Sequence, residues 1–211
     1  MSDLEILGFP QSNFVWMARI ACAEKGAPVT VTPVSPHTAE VDAIHPYGKI
    51  PVMRHGDFTL CETRAICAYV DRAFPGPALI PSDPKLASKV EEWLSLVLTT
   101  IDRAIIREYL VCYLFPDTPD GKPDRAKIDA GLPAMIKALD VIEKGCANGF
   151  LVGNAFTLAD AFVTPILYYA ARGPESGAKV KGSPALSAYL AKMMAHPSVR
   201  DTVPPPFPGK G

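Results

Sequence analysis

The apolar residues of this 211-residue chain change their spacing once, close to Pro75. Before that point, short β-branched or alternating runs end at turn residues, a pattern typical of strands. After it, apolar residues recur every three or four positions over long stretches, and no run predicts a strand. The chain is long enough for two compact units, so we expect an α/β domain followed by an all-α domain.

The first part of the chain predicts a small sheet flanked by helices. Four runs predict strands: Leu4–Leu7, Val29–Thr32, residues 51–54 and residues 58–60. The last two flank His55-Gly56-Asp57, which indicates a hairpin. Helices are predicted over residues 14–25, with Ser12 as the N-cap, and over residues 62–74. The order βαβ followed by ββα indicates a mixed four-stranded sheet.

The second part predicts a set of helices. Asp83 and Pro84 suit the N-cap and first turn of a helix. The apolar stripe that follows comprises Val90, Trp93, Leu94, Val97, Leu98, Ile101 and Ile105. Another stripe spans residues 126–144, includes Ile136 and contains Pro133. Thr157-Leu158-Ala159-Asp160 has the form of a capping box before a strongly apolar helix.

Proline and glycine mark the expected domain boundaries. We assign residues 1–78 to the sheet-containing domain, 79–86 to a linker and 87–211 to the helical domain. The proline-rich residues 204–209 at the end of the chain cannot be helical. We expect them to extend along the surface.

Charge and hydropathy exclude several classes of partner. Lys and Arg number 21 and Asp and Glu 22, with no basic run, so nucleic acid is not expected as a partner. The most apolar stretch, residues 150–171, contains Asn154 and Asp160 and lacks basic flanks, which favours a buried helix over a membrane span. The first five residues, Met-Ser-Asp-Leu-Glu, have neither the basic nor the apolar region of an export signal.

The remaining signatures point away from metal and disulfide chemistry. Five cysteines, widely spaced and without a Cys-x-x-Cys motif, suit reduced thiols in the cytoplasm. The sequence contains no nucleophile elbow, P-loop, His-Glu-x-x-His or dinucleotide fingerprint. Its four histidines are too scattered to suggest a metal site. Candidate chemistry is therefore concentrated in binding features of the first domain.

Three segments of that domain carry groups suited to a ligand. Ser12 presents a hydroxyl at the positive end of a helix, which favours an anion such as a thiolate, although a plain N-cap is the alternative. Ile50-Pro51 leads into a strand; a cis proline there would expose backbone to an extended peptide, whereas an ordinary turn would not. Glu62 and Thr63 begin a helix and suit a ligand with both an ammonium and a carboxylate, or form a charged cap.

Together these segments resemble the thioredoxin-like domain of the soluble glutathione transferases, in their serine-type classes. The resemblance rests on Ala23-Glu24-Lys25-Gly26, on His45-Pro46-Tyr47-Gly48-Lys49-Ile50-Pro51 and on the run from Gly56 to Ile66. Thr157-Leu158-Ala159-Asp160 is similar to the capping box of the family's helical domain. The resemblance implies a thioredoxin-like N-terminal domain, an all-helical C-terminal domain, and conjugation of the thiolate of reduced glutathione to small hydrophobic electrophiles.

The resemblance also implies where the thiol end of glutathione binds. Ser12 occupies the position of the hydroxyl that hydrogen-bonds the thiolate, and its neighbour Asn13 is the alternative donor. Ile50, before a cis Pro51, would pair its backbone with the cysteinyl unit. The thioredoxin cysteine pair would fall within residues 12–15, which contain no Cys, so disulfide exchange is not expected.

The two other ends of the tripeptide have candidates on the same basis. Glu62 and Thr63 would hold the γ-glutamyl end, with Thr where the family more usually has Ser. Lys49, by matched position, and His37, across a one-residue gap, are candidates for the glycyl end.

The electrophile pocket and the assembly complete the implied picture. Aromatic residues are expected to line the pocket: Phe9, Phe14, Tyr109 and Tyr113. For the tyrosines, ordinary core packing is the alternative. Family members are usually homodimers, which would place residues 64–72 against residues 90–103 of a second copy.

Two other functions share this fold. One is a glutathione-dependent isomerase or peroxidase, and the other is a non-catalytic binding or scaffold module. Fold alone does not choose among them, because function belongs to the site. Retention of Ser12, Pro51, Glu62 and Thr63 favours an active site over a non-catalytic relic.

Overall fold

Four strands form one mixed sheet, in the order β2-β1-β3-β4, in the computed structural model, which describes residues 4–207. β1 (Leu4–Leu7) lies parallel to β2 (Val29–Thr32) and antiparallel to β3 (Val52–His55). β3 pairs antiparallel with β4 (Phe58–Cys61) in the predicted hairpin. The predicted mixed sheet of the thioredoxin-like domain is therefore confirmed.

Helices α1 (Asn13–Glu24) and α3 (Thr63–Ala73) pack against each other beside this sheet. Ser12 is the N-cap of α1, as predicted. Gly26 follows its last turn with φ 61°, a left-handed conformation that glycine adopts without steric cost. A third helix, the single turn α2 (Ala39–Asp42), was not predicted, because four residues are too few to show a periodic apolar pattern.

A buried ion pair joins α1 to α3. The Lys25 side chain is 4% exposed, and its Nζ lies 3.3 Å from Oδ1 of Asp71, whose side chain is 9% exposed. The same Nζ donates hydrogen bonds to the carbonyls of Gly76 (3.3 Å) and Pro77 (2.9 Å). Asp71 in turn accepts a hydrogen bond from the amide of Leu79 (2.8 Å). These contacts attach the chain after α3 to the end of α1.

The last part of the chain belongs to the same unit. The structure divides into Met1–Ile80 with Ala195–Gly211, and Pro81–Met194. Helix α10 (Pro197–Arg200) packs on α1, and Trp16 Nε1 donates to Thr202 Oγ1 at 2.9 Å. Residues 204–207 lie outside any helix or strand, whereas Pro208 and Gly209 of the predicted tail fall outside the described residues. Sequence patterns predict this segment in the helical domain, because the contacts that hold it join residues that are distant along the chain.

The second unit is built of helices, and no strand occurs in its described residues. Its α-helices are α4 (Pro84–Leu96), α5 (Val111–Leu114), α6 (Arg125–Gly145), α7 (Leu158–Ala170), α8 (Pro174–Gly182) and α9 (Pro184–Ala195). Asp83 caps α4 by accepting from the amide of Leu86 at 2.9 Å, as predicted. The predicted helical second domain is confirmed.

Two π-helical segments, Val97–Ile101 and Arg103–Leu110, lie between α4 and α5. In a π-helix residues five apart are neighbours, and two ion pairs have this spacing. Arg107 Nε lies 2.9 Å from Asp102 Oδ2, and Arg103 Nε lies 2.6 Å from Glu108 Oε1. The wider turn changes which side chains face the core.

Two residues of the predicted apolar stripes face solvent, contrary to the prediction. Leu98, in the first π-helical segment, is 37% exposed, because the helix there departs from the α-helical period on which the stripe was drawn. Ile136 in α6 is 43% exposed, while Met135 and Leu139 are buried. Single apolar residues are common on the exposed face of a helix.

The apolar helix α7 is almost entirely buried within the second unit, as predicted. Its capping box is present, with the amide of Thr157 donating to Asp160 Oδ2 at 3.0 Å. The other carboxylate oxygen of Asp160 accepts from the Leu151 amide (3.1 Å) and the Tyr189 hydroxyl (2.9 Å). Burial raises the pKa of this carboxyl, and the hydrogen bonds oppose that shift. Across residues 4–207, none of the helices has the length and apolar character needed to cross a membrane.

Candidate functional site

The register of the sheet brings the ends of its four strands into one row. Leu7 at the end of β1 pairs with Thr32 at the end of β2 and with Val52 at the start of β3. Val52 pairs on its other side with Cys61 at the end of β4. The segments that continue from this row therefore meet at one edge of the sheet. They are the loops that contain the predicted residues Ser12, His37, Ile50, Pro51 and Glu62.

Gly8 allows two of these loops to touch. A Cβ atom at this position would lie 2.6 Å from Cγ2 of Val15 and 3.2 Å from Cβ of Ile50. Both distances are shorter than ordinary carbon contacts, so any side chain here would force the two segments apart. The start of α1 therefore lies directly beside the segment that leads into Pro51.

Ser12 has a hydroxyl that can cap the helix and still donate a hydrogen bond. Its Oγ accepts from the amide of Val15 at 3.5 Å, a long contact, and the residue is half-buried. Accepting that bond uses a lone pair and leaves the O–H free to point at another acceptor. Asn13 is only 4% exposed, so its side chain lies in the interior of the unit. Of the two predicted donors, Ser12 is the more accessible.

The Ile50–Pro51 peptide bond is cis, which is the geometry implied by the family resemblance. Pro51 is buried and Ile50 is half-buried against Leu7, Val41 and Val52. The cis bond therefore lies next to a cluster of buried apolar side chains, at the row of strand ends.

Glu62 and Thr63 follow β4, which is the last strand of the row. Glu62 is the N-cap of α3 and has φ 70° and ψ 117°, a conformation uncommon for a residue with a side chain. Its carboxylate is 67% exposed, with Oε1 3.4 Å from Nε2 of the buried His45. Thr63 is 5% exposed. Strained backbone of this kind is often found at ligand sites.

His37 and Lys49 are close neighbours through Gly48. The His37 amide donates to the Gly48 carbonyl at 2.9 Å, and a Cβ on Gly48 would fall 2.2 Å from His37 Nδ1. Both side chains are exposed. The structure therefore places the backbone of His37 beside Gly48, the residue that precedes Lys49.

The predicted aromatic residues differ widely in exposure. In the first unit, Phe9 is 43% exposed and Phe14 is half-buried. In the second unit, Tyr109 is fully buried, while Tyr113 is half-buried. Burial of Tyr109 agrees with the core-packing alternative raised for the tyrosines.

Both tyrosine hydroxyls are hydrogen-bonded to one carboxylate in the second unit. The Tyr109 hydroxyl donates to Glu175 Oε2 at 2.8 Å and accepts from the Glu175 amide at 3.0 Å. Tyr113 donates to the same carboxylate, and Arg125 forms an ion pair with it. Burial opposes ionisation of Glu175, but these hydrogen bonds outweigh it and lower its pKa to about 2. Burial and the hydrogen bond to Glu175 raise the pKa of Tyr113 to about 12.

Two residues of this edge were not assigned a role from the sequence. His45 was noted only as part of a motif, and Gly8 only as part of a turn. Their positions depend on contacts with residues distant in sequence, so only an invariant pattern in related chains would have indicated them. Within residues 4–207, no group of three or more His, Cys, Asp or Glu side chains is arranged to hold a metal ion.

Comparison with known proteins finds similarity over nearly the whole chain. Residues 6–78 match the family model of the glutathione S-transferase N-terminal domain, and residues 101–197 match that of the C-terminal domain. Glutathione S-transferase 3 of Zea mays is 32% identical, with 98% of each chain covered.

Solved structures show the same relationship. The apo form of glutathione S-transferase III has a TM-score of 0.81 and 30% identity, and covers 98% of this chain and 100% of its own. A glutathione S-transferase from Methylobacillus flagellatus with glutathione bound has a TM-score of 0.81 and 26% identity, and covers 96% of this chain and 100% of its own. With both domain models matched and a relative above 30% identity over its full length, this chain belongs to the glutathione S-transferase family.

Proposed function

We propose that this chain binds reduced glutathione along the row of strand ends and transfers its thiolate to small hydrophobic electrophiles. The observation that carries the proposal is the meeting of Ser12, the cis Ile50–Pro51 bond and Glu62 at one edge of the sheet. The structure of the M. flagellatus relative, solved with glutathione bound, supports the choice of ligand.

The tripeptide would lie across the row with each end held by opposite charge. Its γ-glutamyl ammonium meets the Glu62 carboxylate, and its γ-glutamyl carboxylate meets Thr63 and the start of α3. The cysteinyl unit pairs with the backbone of Ile50. The glycyl carboxylate meets Lys49 and His37, whose side chains are both exposed.

The chemistry follows from stabilising a thiolate. A free thiol has a pKa of about 8.5, so most of it is protonated at neutral pH. The Ser12 hydroxyl donates to the sulfur, and the start of α1 adds a positive potential; both favour the charged form, and the thiol proton passes to water. The sulfur then forms a bond to the electrophilic carbon as the leaving group departs with its electron pair. In an addition reaction, the carbon that gains the electron pair takes a proton from water instead.

Aromatic side chains would receive the electrophile. Phe9, close to Ser12 in sequence and partly exposed, and Phe14 offer apolar surface in the first unit. Of the tyrosines in the second unit, Tyr113 is the more accessible candidate. Tyr109, fully buried, would act by holding Glu175 in place.

We also propose that the protein is a cytoplasmic homodimer that detoxifies electrophiles. The five cysteines, all within the described residues, are free thiols, which suits a reducing compartment. In such a dimer, residues 64–72 of one copy would lie against residues 90–103 of the other. Sedimentation showing a stable monomer at micromolar concentration would contradict the dimer.

The function is tested by retention on immobilised glutathione, followed by turnover of a panel of small aryl halides, epoxides and enones. We expect retention, elution by free glutathione, and conjugation of at least one electrophile class. Retention without any turnover, including of peroxides and isomerisable substrates, would indicate a binding module. Failure to bind glutathione would refute the proposal altogether.

A further inference from the structure

A buried histidine lies behind the exposed carboxylate of Glu62. The His45 side chain is 3% exposed, and its Nε2 lies 3.4 Å from Glu62 Oε1. Backbone hydrogen bonds fix His45 on both sides, since its amide donates to the Val41 carbonyl (2.8 Å) and its carbonyl accepts from the Gly48 amide (2.9 Å). The fold therefore fixes the backbone of His45 and buries its ring.

The hydrogen bond at Nδ1 of His45 determines which ring nitrogen carries the proton. The amide of Tyr47 donates to Nδ1 at 3.0 Å. A nitrogen that accepts a hydrogen bond carries no proton, so the proton of the neutral ring resides on Nε2. Nε2 is also the ring nitrogen closest to the carboxylate, at 3.4 Å from Oε1. Nε2 therefore carries a proton beside the carboxylate in either charge state of the ring.

Glu62 directs its carboxylate away from the helix that it begins. Acidic N-cap side chains usually accept from an amide of the first helical turn, but this one forms no such bond. Its backbone conformation, φ 70° and ψ 117°, points the side chain elsewhere. Within residues 4–207, His45 is its one ion-pair partner, and that contact engages Oε1. Oε2 remains available at an exposed position.

We propose that His45 is a positioning residue for glutathione, which holds Glu62 through Oε1 so that Oε2 meets the γ-glutamyl ammonium. The inference rests on the proposed function and adds a residue to it. An exposed glutamate loses side-chain entropy when it binds a ligand, and a partner that orders it beforehand lowers that cost. The contact acts on the ammonium end of the tripeptide, so it alters affinity for glutathione and leaves the reactivity of the bound thiol unchanged.

Two substitutions separate the two nitrogens of His45. His45→Asn places an amide oxygen near Nδ1, so it keeps an acceptor for the Tyr47 amide, but its shorter side chain does not reach Glu62. His45→Gln extends an amide N–H to about the position of Nε2 and restores the donor. Binding is measured by calorimetry with glutathione and with its deaminated analogue, γ-glutaryl-cysteinyl-glycine, which lacks the ammonium.

We expect His45→Asn to weaken glutathione binding by about 5- to 20-fold, a fraction of the full loss of a charge-assisted hydrogen bond, and His45→Gln to recover most of it. The same variants should bind the deaminated analogue as the parent does, and kcat at saturating glutathione should be unchanged. The double variant His45→Asn, Glu62→Gln should bind glutathione no more weakly than Glu62→Gln alone.

The outcomes are distinguishable. Equal losses for glutathione and the analogue would mean that His45 supports the loop in general, which overturns the inference while the proposed function stands. Unchanged glutathione affinity in His45→Asn would overturn it as well. A parent protein that binds neither ligand would refute the proposed function itself.

Discussion

Replacing Ser12 with alanine tests the role of a single hydroxyl at the start of α1. The substitution removes the Oγ that accepts from the Val15 amide at 3.5 Å. Loss of an N-cap costs typically about 1 kcal/mol, and a contact this long belongs at the lower end of the range. The fold should therefore survive with a small decrease in stability, and any large effect on activity has to come from the thiol.

The expected effect on the thiol follows from the loss of a donor to a charged group. Such a hydrogen bond contributes about 1.5–3 kcal/mol, which corresponds to an increase of about 1 to 2 units in the pKa of the bound thiol. At neutral pH the thiolate fraction, and with it the turnover, should fall by about 10- to 150-fold. Glutathione affinity should decrease much less, because Glu62 and Thr63 hold the other end of the tripeptide.

The assay is a pH titration of thiolate absorbance in the glutathione complex, together with the pH dependence of kcat/KM. Ser12→Thr, which keeps both the hydroxyl and the cap, is the matched control and should titrate near the parent. Asn13→Ala tests the buried neighbour. An unchanged thiol pKa in Ser12→Ala, with a raised one in Asn13→Ala, would refute the assignment of Ser12 as the donor.

Three further predictions test other parts of the structure. In calorimetry, Glu62→Ala should lower the affinity for glutathione by about 10- to 150-fold, because it removes a charge-assisted contact of about 1.5–3 kcal/mol. Thr63→Val should lower this affinity less. If both variants bind glutathione as the parent does, the ligand binds elsewhere. Lys25→Met leaves the buried Asp71 carboxylate unpaired, so it should cost about 3 kcal/mol and lower Tm by about 6–12 °C. The exposed Lys89→Met should cost under about 1 kcal/mol, and equal melting temperatures of the two variants would contradict a stabilising role for the Lys25–Asp71 ion pair. The pKa of Glu175 is lowered to about 2 from 4.5, so its stabilising contribution is complete above pH 4.5 and is lost as pH falls toward 2. Urea unfolding should therefore show the stability difference between parent and Glu175→Gln shrinking over that interval, and a pH-independent difference would argue against it.

Local sequence patterns were sufficient to predict most elements of this fold. Ser12, Asp83 and Thr157 each begin a helix where their side chains suggested it, because an N-cap satisfies amides within three residues of itself. The hairpin around Gly56 formed for the same reason, since turn geometry depends on the turn residues themselves. These signals are short-range, so the sequence carries them without reference to the rest of the chain.

Other features depend on residues that are distant in sequence. Leu98 is exposed because the helical period changes at this point, and no residue in the local sequence indicates that change. Thr202 pairs with Trp16 and so joins the end of the chain to the first unit. Each of these features depends on a packing or hydrogen-bond contact that forms only when the chain folds.

The candidate site divides in the same way. The sequence alone determined the residue types, because Ser12, Pro51 and Glu62 are recognisable in their motifs wherever the chain places them. Only the tertiary structure decided that they share one edge, since this depends on the register that aligns Leu7, Val52 and Cys61 across three strands. It also decided that His45 is buried against Glu62, since neither residue's neighbours specify a contact between side chains 17 positions apart.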